Sequence, residues 1–240
     1  MTPPVPDRPA VFLDFDGTLV DIVARPEDVA VAPDLLPVID KLVARVDGAV
    51  AVVTGRKVSD VDHFLAMPIA AAGMHGLERR STPGGEVVEA EPPPEIAILR
   101  QRILAWPALQ EGVRMEDKGA GLAVHYRAVP DRAQDVKTKM AEMTADLDTL
   151  GLIDGKMVVE AKGKGHDKGE AVDVFMASAP FAGRTPIFIG DDTTDEDGMR
   201  AAQALGGFGI KVGEGPTEAQ YRVADVAAVH EYLKSLANGG

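Results

Sequence analysis

The sequence contains no cysteine and has few basic side chains relative to acidic ones. Without thiols, the chain can form neither a disulfide framework nor a zinc site built on thiolates. Asp and Glu together number 38 against 25 Lys and Arg, which gives a formal net charge of −13. Because a phosphate backbone needs clustered basic surface, this balance argues against nucleic acid and anionic membranes as partners.

Long hydrophobic runs are also missing. No stretch approaches the roughly 20 apolar residues of a membrane-spanning helix, and the opening MTPPVPDRPA has no apolar segment that would predict a signal peptide. Hydrophobic residues nevertheless make up 45% of the 240 residues, which is enough for one large domain or two small ones with a packed core. We therefore expect a globular, cytoplasmic protein with no membrane partner.

Strand and helix patterns alternate at both ends of the chain. Near the start, the runs AVFLDF, GAVAVV and PIAAAG predict strands, and PDLLPVIDKLVARV and VSDVDHFLA predict the helices between them. From Lys168 the alternation returns with helix KGEAVDVFMA, strand TPIFIG, strand GFGIKV and helix VHEYLKSL. Continuous apolar strands joined by helices are typical of a parallel sheet buried on both faces. The predicted fold class is therefore α/β, with a Rossmann-like parallel-sheet core.

The middle of the chain has a different order of elements. A Pro-Gly-Gly turn and a triple proline mark the change, and together they predict a hairpin followed by a boundary. Two predicted helices, EIAILRQRILAW and RAQDVKTKMAEMTADL, are interspersed with three short strands, GVRMED, GLAVHYR and KMVVEAK. This set predicts a small α+β unit with helices on one face of an antiparallel sheet. We predict a catalytic core from residues 1–78 and 164–240, interrupted by an inserted α+β domain at residues 79–163.

Acidic and polar side chains follow three of the predicted strands. They stand in Asp14-Phe15-Asp16, Thr54-Gly55-Arg56 and Gly190-Asp191-Asp192, with Asp195 a little further on. Ligands of an open parallel sheet bind beyond the carboxyl ends of its strands, so these groups are expected to converge. Crowded carboxylates raise one another's pKa values, and a hard cation such as Mg²⁺, which takes carboxylate and phosphate oxygens, removes that cost. The sequence therefore predicts a magnesium site.

The same groups suit the chemistry of a phosphate ester. Asp14 can attack phosphorus as a carboxylate nucleophile, and Asp16 can protonate the leaving alcohol and then deprotonate water. Thr54, just before a predicted helix, offers a hydroxyl and backbone N–H groups to an anion, and Lys168 would hold the phosphate as a point charge. The alternative is an acidic turn with unrelated loops. Four elements in this order, each at the end of a strand or helix, make coincidence a poor explanation.

These motifs resemble those of the haloacid dehalogenase (HAD) superfamily, whose phosphatases carry DxDGT, a Thr or Ser after the second strand, a Lys and a final acidic GDD-type motif. The resemblance implies that Asp14, the backbone carbonyl of Asp16 and Asp191 hold Mg²⁺. It implies that Asp192 and Asp195 support the metal or the Lys. It also implies that the inserted α+β domain is a cap of the second-position, type B-like kind that selects the substrate.

The strands of the inserted unit indicate how a substrate could be selected. Alternation places Glu116 and Lys118 on one face of the first strand, and His125 and Arg127 on one face of the second. Glu160 lies on the charged side of the third, KMVVEAK. A face with both signs of charge suits a polyhydroxyl ligand. From alternation alone, however, a plain solvated sheet face is the better explanation.

Further motifs favour a substrate-binding face over a plain solvated one. GMHG at residues 73–76, VVEAK before DKG, and GDDTTDED resemble the trehalose-6-phosphate phosphatases of this superfamily. The resemblance implies that Glu116, Lys118 and Glu160 bind trehalose hydroxyls. It assigns a further set of residues to the substrate side of the closed site: Gly55, Arg56, His75, His125 and Arg127. The family usually has a proline in the loop before its Lys motif, where this chain has Lys162-Gly163-Lys164-Gly165.

The function implied by this resemblance is a Mg²⁺-dependent phosphatase that releases trehalose from trehalose 6-phosphate through an aspartyl-phosphate intermediate. A monomer is favoured, with a functional link to a trehalose-phosphate synthase. Three alternatives stay open: a phosphatase of another sugar phosphate such as sucrose phosphate, a phosphosugar mutase, and a catalytically silent sugar-phosphate sensor.

Overall fold

The computed structural model describes residues 2–23, 25, 28–155 and 157–239. The chain divides into two compact units, one formed by Met1–Glu89 with Asp167–Gly240 and the other by Ala90–His166. We call the first unit the core and the second the inserted unit. None of the helices among the described residues combines the length and apolar character needed to cross a bilayer.

The secondary structure is numbered along the chain. The strands are β1 Pro9–Leu13, β2 Val50–Val53, β3 Ala70–Gly73, β4 Glu78–Arg80, β5 Val88–Glu89, β6 Arg114–Asp117, β7 Gly121–His125, β8 Leu150–Gly155, β9 Val158–Gly163, β10 Thr185–Gly190, β11 Phe208–Val212 and β12 Tyr221–Val223. The helices are α1 Leu35–Arg45, α2 Val58–Leu65, α3 Glu95–Leu104, α4 Ala133–Thr144, α5 Lys168–Met176, α6 Asp195–Ala204 and α7 Val226–Asn238.

The core is built on one eight-stranded sheet. Its strand order is β12-β11-β10-β1-β2-β3-β4-β5, parallel from β12 to β3 and antiparallel at β4 and β5. The central strands β1 and β2 are buried at every residue, as the continuous apolar runs AVFLDF and GAVAVV predict. Together with the α+β inserted unit described below, this sheet confirms the predicted fold class.

Aromatic packing anchors the central strand. The ring of Phe12 in β1 lies 5.4 Å from the ring of Phe181 and 5.8 Å from that of Phe175, and the last two rings are 4.9 Å apart. All three side chains are fully buried. Because tightly packed rings hold a strand in one position, the residues that follow β1 start from a rigid base.

The inserted unit of the structure begins one hairpin later than the boundary predicted at residue 79. The strands β4 and β5 form the expected hairpin, but they extend the sheet of the core, where Arg80 pairs with Ala71 of β3. Arg80 is buried and forms a two-pronged ion pair with Asp62 of α2. Since a buried guanidinium needs its carboxylate partner, this contact ties the hairpin to the core. The inserted unit runs from Ala90 to His166 rather than from residue 79 to residue 163.

The inserted unit has a four-stranded antiparallel sheet, ordered β6-β7-β9-β8. Its hydrophobic interior combines apolar residues of α3 and α4, such as Leu99 and Met140, with Leu122, Val124 and Val159 of the sheet. The strand β8, LGLIDG, is missing from the sequence prediction because its two glycines and exposed residues give no clear alternation. The predicted strand KMVVEAK begins at Lys156, which lies outside the described residues.

Candidate active site

Three strand ends bring the predicted core residues to one edge of the sheet. Leu13 pairs with both Ile189 of β10 and Val52 of β2, so the residues that follow these strands emerge side by side. Asp14 comes directly after β1, Thr54 directly after β2, and Asp191 directly after β10. This is the edge at which open parallel sheets bind ligands.

A glycine turn allows the first and last motifs to approach closely. Gly17 has a φ of 83°, and a Cβ atom placed on it would lie 2.3 Å from Oδ2 of Asp191. Only glycine combines this left-handed backbone with the absence of a side chain. The glycine of the DFDGT motif is therefore needed for the contact between the loop after β1 and the loop after β10.

Lys168 joins two carboxylates at the centre of the site. Its Nζ lies 2.6 Å from Oδ1 of Asp14 and 2.6 Å from Oδ1 of Asp195. Asp14 is 5% exposed, Lys168 3% and Asp195 0%. Lys168 is the first residue of α5, and the preceding Asp167 caps that helix through the backbone N–H of Glu170 at 2.8 Å. The capped helix start therefore fixes where the ammonium enters the site.

Asp195 organises the backbone around the third strand end. Its Oδ2 accepts hydrogen bonds from the backbone N–H groups of Asp191 at 3.0 Å and Asp192 at 2.9 Å. A Cβ atom on Gly190 would lie 2.3 Å from Cγ of Asp195. Asp195 thus supports both Lys168 and the Asp191 loop. The carboxylate of Asp192 is exposed and accepts from the backbone N–H of Thr193 at 2.6 Å, and it is not part of the buried cluster.

Two carboxylates of the site, those of Asp14 and Asp191, have raised pKa values. Burial raises the pKa of Asp14 to about 8; Lys168 opposes this and Asp195 adds to it. Burial raises the pKa of Asp191 to about 6, assisted by Asp195 and Asp192 and opposed by Lys211. Burial alone would lower the pKa of Lys168, but Asp14 and Asp195 raise it above its ordinary value. When all three are ionised, the carboxylates of Asp14, Asp191 and Asp195 carry more negative charge than Lys168 neutralises.

The excess negative charge fits a divalent cation. Asp14, Asp191 and Asp195 each offer a carboxylate oxygen, and these atoms lie within 4.8 Å of one another. Oδ1 of Asp191 is buried and has no hydrogen-bond partner among the described residues. A buried unpaired carboxylate oxygen is costly unless a cation or donor reaches it, and an all-oxygen donor set suits a hard cation. The residues present could hold such an ion.

Asp16 is held on the core by Arg56, not by the buried cluster. Nε of Arg56 lies 2.6 Å from Oδ2 of Asp16 and Nη2 lies 2.7 Å from Oδ1. Hydrogen bonding to Asp16 is the main reason that the pKa of Arg56 is raised. The structure therefore brings the second aspartate of DFD together with the arginine of the TGR motif.

The loop after β2 carries Thr54, Gly55 and Arg56 in a fixed turn. Thr54 is buried, and its Oγ1 accepts from the backbone N–H of Arg56 at 3.2 Å. A Cβ atom on Gly55 would lie 2.7 Å from Nε2 of His75. His75 thus lies against the TGR loop on the core.

The inserted unit gathers four of its five predicted substrate residues into two pairs. Lys118 donates from Nζ to Oε2 of Glu160 at 2.9 Å, and Nε2 of His125 lies 2.9 Å from Oε2 of Glu116. In the sheet register Glu116 is opposite Ala123, which is opposite Glu160, so the two glutamates share one face.

Glu160 differs from the other members of this face by its burial. It is 8% exposed, and its Oε1 has no hydrogen-bond partner among the described residues. An unpaired buried acceptor of this kind suits a donor such as a hydroxyl group. Arg127 is exposed and lies beyond the end of β7, so the structure does not group it with the two pairs.

Lys211 is a functional candidate that sequence reasoning missed. It lies in β11, is 5% exposed, and donates from Nζ to the backbone carbonyl oxygen of Asp191. The signal was available, because a lysine inside the apolar run GFGIKV must find a partner when the strand is buried. Its partner is the loop that carries Asp191.

Comparison with known proteins gives one consistent group of relatives. The family described as Trehalose-phosphatase matches residues 12–227. The trehalose-6-phosphate phosphatase of Escherichia coli (strain K12) is 37% identical over 237 residues, covering 98% of this chain and 89% of the relative. A probable trehalose-phosphate phosphatase of Sinorhizobium fredii is 42% identical over 210 residues, covering 86% of this chain and 78% of the relative.

Solved structures agree on the fold. The C-terminal domain of the C. albicans trehalose-6-phosphate phosphatase covers 97% of this chain and 93% of its own, with a TM-score of 0.82 and 20% identity. A phosphatase of the haloalkanoate (HAD) superfamily from Bacteroides thetaiotaomicron covers 95% of this chain and 94% of its own, with a TM-score of 0.65 and 16% identity. At these identities the similarities concern the fold alone.

Proposed function

The chain belongs to the trehalose-phosphatase family, and from that premise we propose that it hydrolyses trehalose 6-phosphate to trehalose and phosphate, as a step of trehalose biosynthesis. The observation that carries this proposal is the contact of Lys168 with Asp14 and Asp195 beside the Asp191 loop. That arrangement places a carboxylate, an ammonium and a cation-binding group together at the ligand-binding edge of the sheet.

Asp14 is the proposed nucleophile. One of its carboxylate oxygens forms a bond to phosphorus while the bond from phosphorus to the sugar oxygen breaks, which leaves an aspartyl-phosphate and the freed sugar. Water then attacks the same phosphorus, and the bond to Asp14 breaks to release inorganic phosphate. Lys168, 2.6 Å from Asp14, orients the carboxylate and contributes positive charge where the phosphoryl oxygens would lie. Thr54 adds a hydroxyl and backbone donors to the same group.

Asp16 is the proposed general acid and base. It gives a proton to the departing sugar oxygen and later takes one from the attacking water. In the structure Asp16 is held in an ion pair by Arg56, so Arg56 controls the direction in which that carboxylate points. The pair must loosen during turnover for Asp16 to be protonated.

Mg²⁺ is the proposed cofactor. Asp14, Asp191 and the backbone carbonyl of Asp16 would hold it, and Asp195 would support the site through Lys168 and the backbone of Asp191. When bound, the ion neutralises carboxylate charge and polarises the phosphoryl oxygens. The raised pKa values of Asp14 and Asp191 and the unpaired Oδ1 of Asp191 support this assignment.

The inserted unit is proposed to select the sugar. Glu116 and Glu160 accept hydrogen bonds from sugar hydroxyls, and Lys118 and His125 donate to them. The mixed charge of one face of the sheet and the unpaired Oε1 of Glu160 support this role. The proposed setting is the cytoplasm, with the protein acting as a monomer on a substrate from a trehalose-phosphate synthase.

Phosphate release from a panel of sugar phosphates tests the function. The wild-type protein is expected to release phosphate from trehalose 6-phosphate in preference to sucrose phosphate, and only with Mg²⁺. Asp14→Asn is expected to abolish turnover with the fold intact by circular dichroism. Isomerised sugar phosphate without free phosphate would instead identify a mutase, and binding without any turnover would identify a sensor. Activity retained by Asp14→Asn would exclude the aspartyl-phosphate mechanism.

A further inference from the structure

The loop after β3 has a left-handed backbone at three consecutive residues. The φ angles are 50° at Met74, 54° at His75 and 97° at Gly76. The first two residues carry side chains, and a side chain makes this conformation costly. Two adjacent residues of this kind persist only where the surroundings impose the conformation, and such positions gather at functional sites.

The surroundings that impose it are the TGR loop. The backbone N–H of His75 donates to the carbonyl oxygen of Thr54 at 3.0 Å, and that of Met74 donates to the carbonyl oxygen of Arg56 at 2.8 Å. The backbone N–H of Thr54 donates in turn to Ala72 at 2.9 Å. Hydrogen bonds therefore run in both directions between the TGR loop and residues 72–75, and they fix the relative position of these two segments within the core.

Two glycines allow the loops to approach more closely than side chains would permit. A Cβ atom on Gly55 would lie 2.7 Å from Nε2 and 3.0 Å from Cε1 of His75. A Cβ atom on Gly73 would lie 2.8 Å from the carbonyl oxygen of Arg56 and 2.8 Å from the backbone nitrogen of Val58. The imidazole of His75 thus occupies the space that a side chain on Gly55 would need.

We propose that His75 is a positioning residue for the phosphoryl-binding loop. Its ring packs on Gly55, and the left-handed turn that presents the ring holds Thr54 and Arg56 where the phosphoryl group and Asp16 need them. This role differs from the sugar contact that resemblance assigns to His75. It rests on the proposed function, because it takes Thr54 as a ligand of the transferring phosphoryl group.

Two substrates separate positioning from sugar recognition. With p-nitrophenyl phosphate, which has no sugar, and with trehalose 6-phosphate, His75→Ala is expected to lower kcat tenfold or more by the same factor, with KM changed less than twofold. A positioning residue acts on the phosphoryl-binding loop, which both substrates use. A rise in KM for trehalose 6-phosphate with normal turnover of p-nitrophenyl phosphate would overturn the proposal, as would unchanged kinetics on both.

A double-substitution cycle tests the packing itself. Gly55→Ala alone is expected to lower kcat at least tenfold, because its Cβ competes with the ring of His75. In the His75→Ala background the same substitution is expected to change kcat less than twofold, since the ring is gone. Losses that multiply would overturn the proposal. If His75→Ala fails to fold, His75→Asn takes its place, because asparagine tolerates the left-handed backbone and lacks the ring.

The control is Ala66→Gly. Ala66 is exposed, follows α2 and also has a left-handed φ of 52°, so it matches the strain of His75 without lying on the TGR loop. It is expected to keep kcat within twofold on both substrates. Failure of the proposed function is separate: a wild-type protein that turns over p-nitrophenyl phosphate but not trehalose 6-phosphate would refute the substrate, while the His75 comparison could still be made.

Discussion

Arg56 holds both carboxylate oxygens of Asp16, at 2.6 Å from Nε and 2.7 Å from Nη2. The guanidinium also lies over two aromatic rings, 5.3 Å from the centroid of Phe15 and 5.0 Å from that of Phe64. A planar cation that stacks on rings and binds a carboxylate with two hydrogen bonds has one preferred orientation. Arg56 therefore fixes the position of the Asp16 carboxylate, the proposed general acid and base, before the reaction.

Arg56→Lys is the first prediction. Lysine keeps the charge but cannot bind two oxygens in a plane or stack on both rings, so we expect kcat to fall roughly 10- to 100-fold, the scale of a misplaced catalytic group. Steady-state kinetics with trehalose 6-phosphate and p-nitrophenyl phosphate measure this. The matched control is Arg102→Lys, at a two-pronged ion pair with Asp146 in the inserted unit. Equal activity of both variants would show that Asp16 needs no fixed partner.

Asp14→Asn is predicted to stabilise the protein in the presence of a chelator. The pKa of Asp14 is raised from 3.8 to about 8, so between these values the folded state keeps a proton that the unfolded chain releases. Stability of the wild type is therefore lost as the pH rises through this window. Asparagine does not titrate, and the Tm advantage of the variant is expected to grow from pH 5 to pH 8. A change of about 1 kcal/mol corresponds to roughly 2–4 °C in Tm for a chain of this size.

Mg²⁺ provides the companion measurement. We expect it to raise the Tm of the wild type more at pH 8 than at pH 6, because the ion competes with the proton on Asp14. The Tm of Asp14→Asn is expected to rise less. A Tm of the wild type that does not respond to Mg²⁺ at either pH would contradict a cation site at Asp14 and Asp191.

Glu160→Gln is predicted to weaken recognition of the sugar and to leave the reaction at the phosphate unchanged. Glu160 is buried with one unpaired oxygen, and losing a charged acceptor costs about 1.5–3 kcal/mol, or roughly 10- to 100-fold in kcat/KM for trehalose 6-phosphate. Turnover of p-nitrophenyl phosphate is expected to stay within about twofold, since that substrate has no sugar hydroxyls. Glu142→Gln, at an exposed position on α4, is the control. Equal losses of activity on both substrates would contradict a role of the inserted unit in sugar selection.

Lys211→Met is predicted to weaken Mg²⁺ binding. The side chain of Lys211 holds the backbone of Asp191 from β11, and the loss of such outer support lowers metal affinity by roughly 10- to 100-fold. Isothermal titration calorimetry gives the affinity directly, and Lys137→Met, at an exposed ion pair on α4, controls for the loss of one positive charge. Unchanged affinity in Lys211→Met would mean that Asp191 is held by Asp195 alone.

The parts of the site that follow from local pattern were predictable. Continuous apolar runs before Asp14, Thr54 and Asp191 indicate strands of a parallel sheet, and the carboxyl ends of such strands meet at one edge. The hairpin of β4 and β5 was also recognisable from its turn. Its membership of the core was not, because the buried pair of Arg80 with Asp62 joins residues that no local pattern connects.

The amino-acid sequence by itself determined the α/β order, the insertion and the convergence of the acidic motifs, because hydrophobic periodicity and strand ends are encoded over a few neighbouring residues. Only the tertiary structure decided which side chains of the site contact one another. Arg56 reaches Asp16 from 40 residues away, Lys168 reaches Asp14 from 154 residues away, and Met74 and His75 are left-handed although both carry side chains. Such contacts depend on how separate elements pack, and packing is a property of the whole fold.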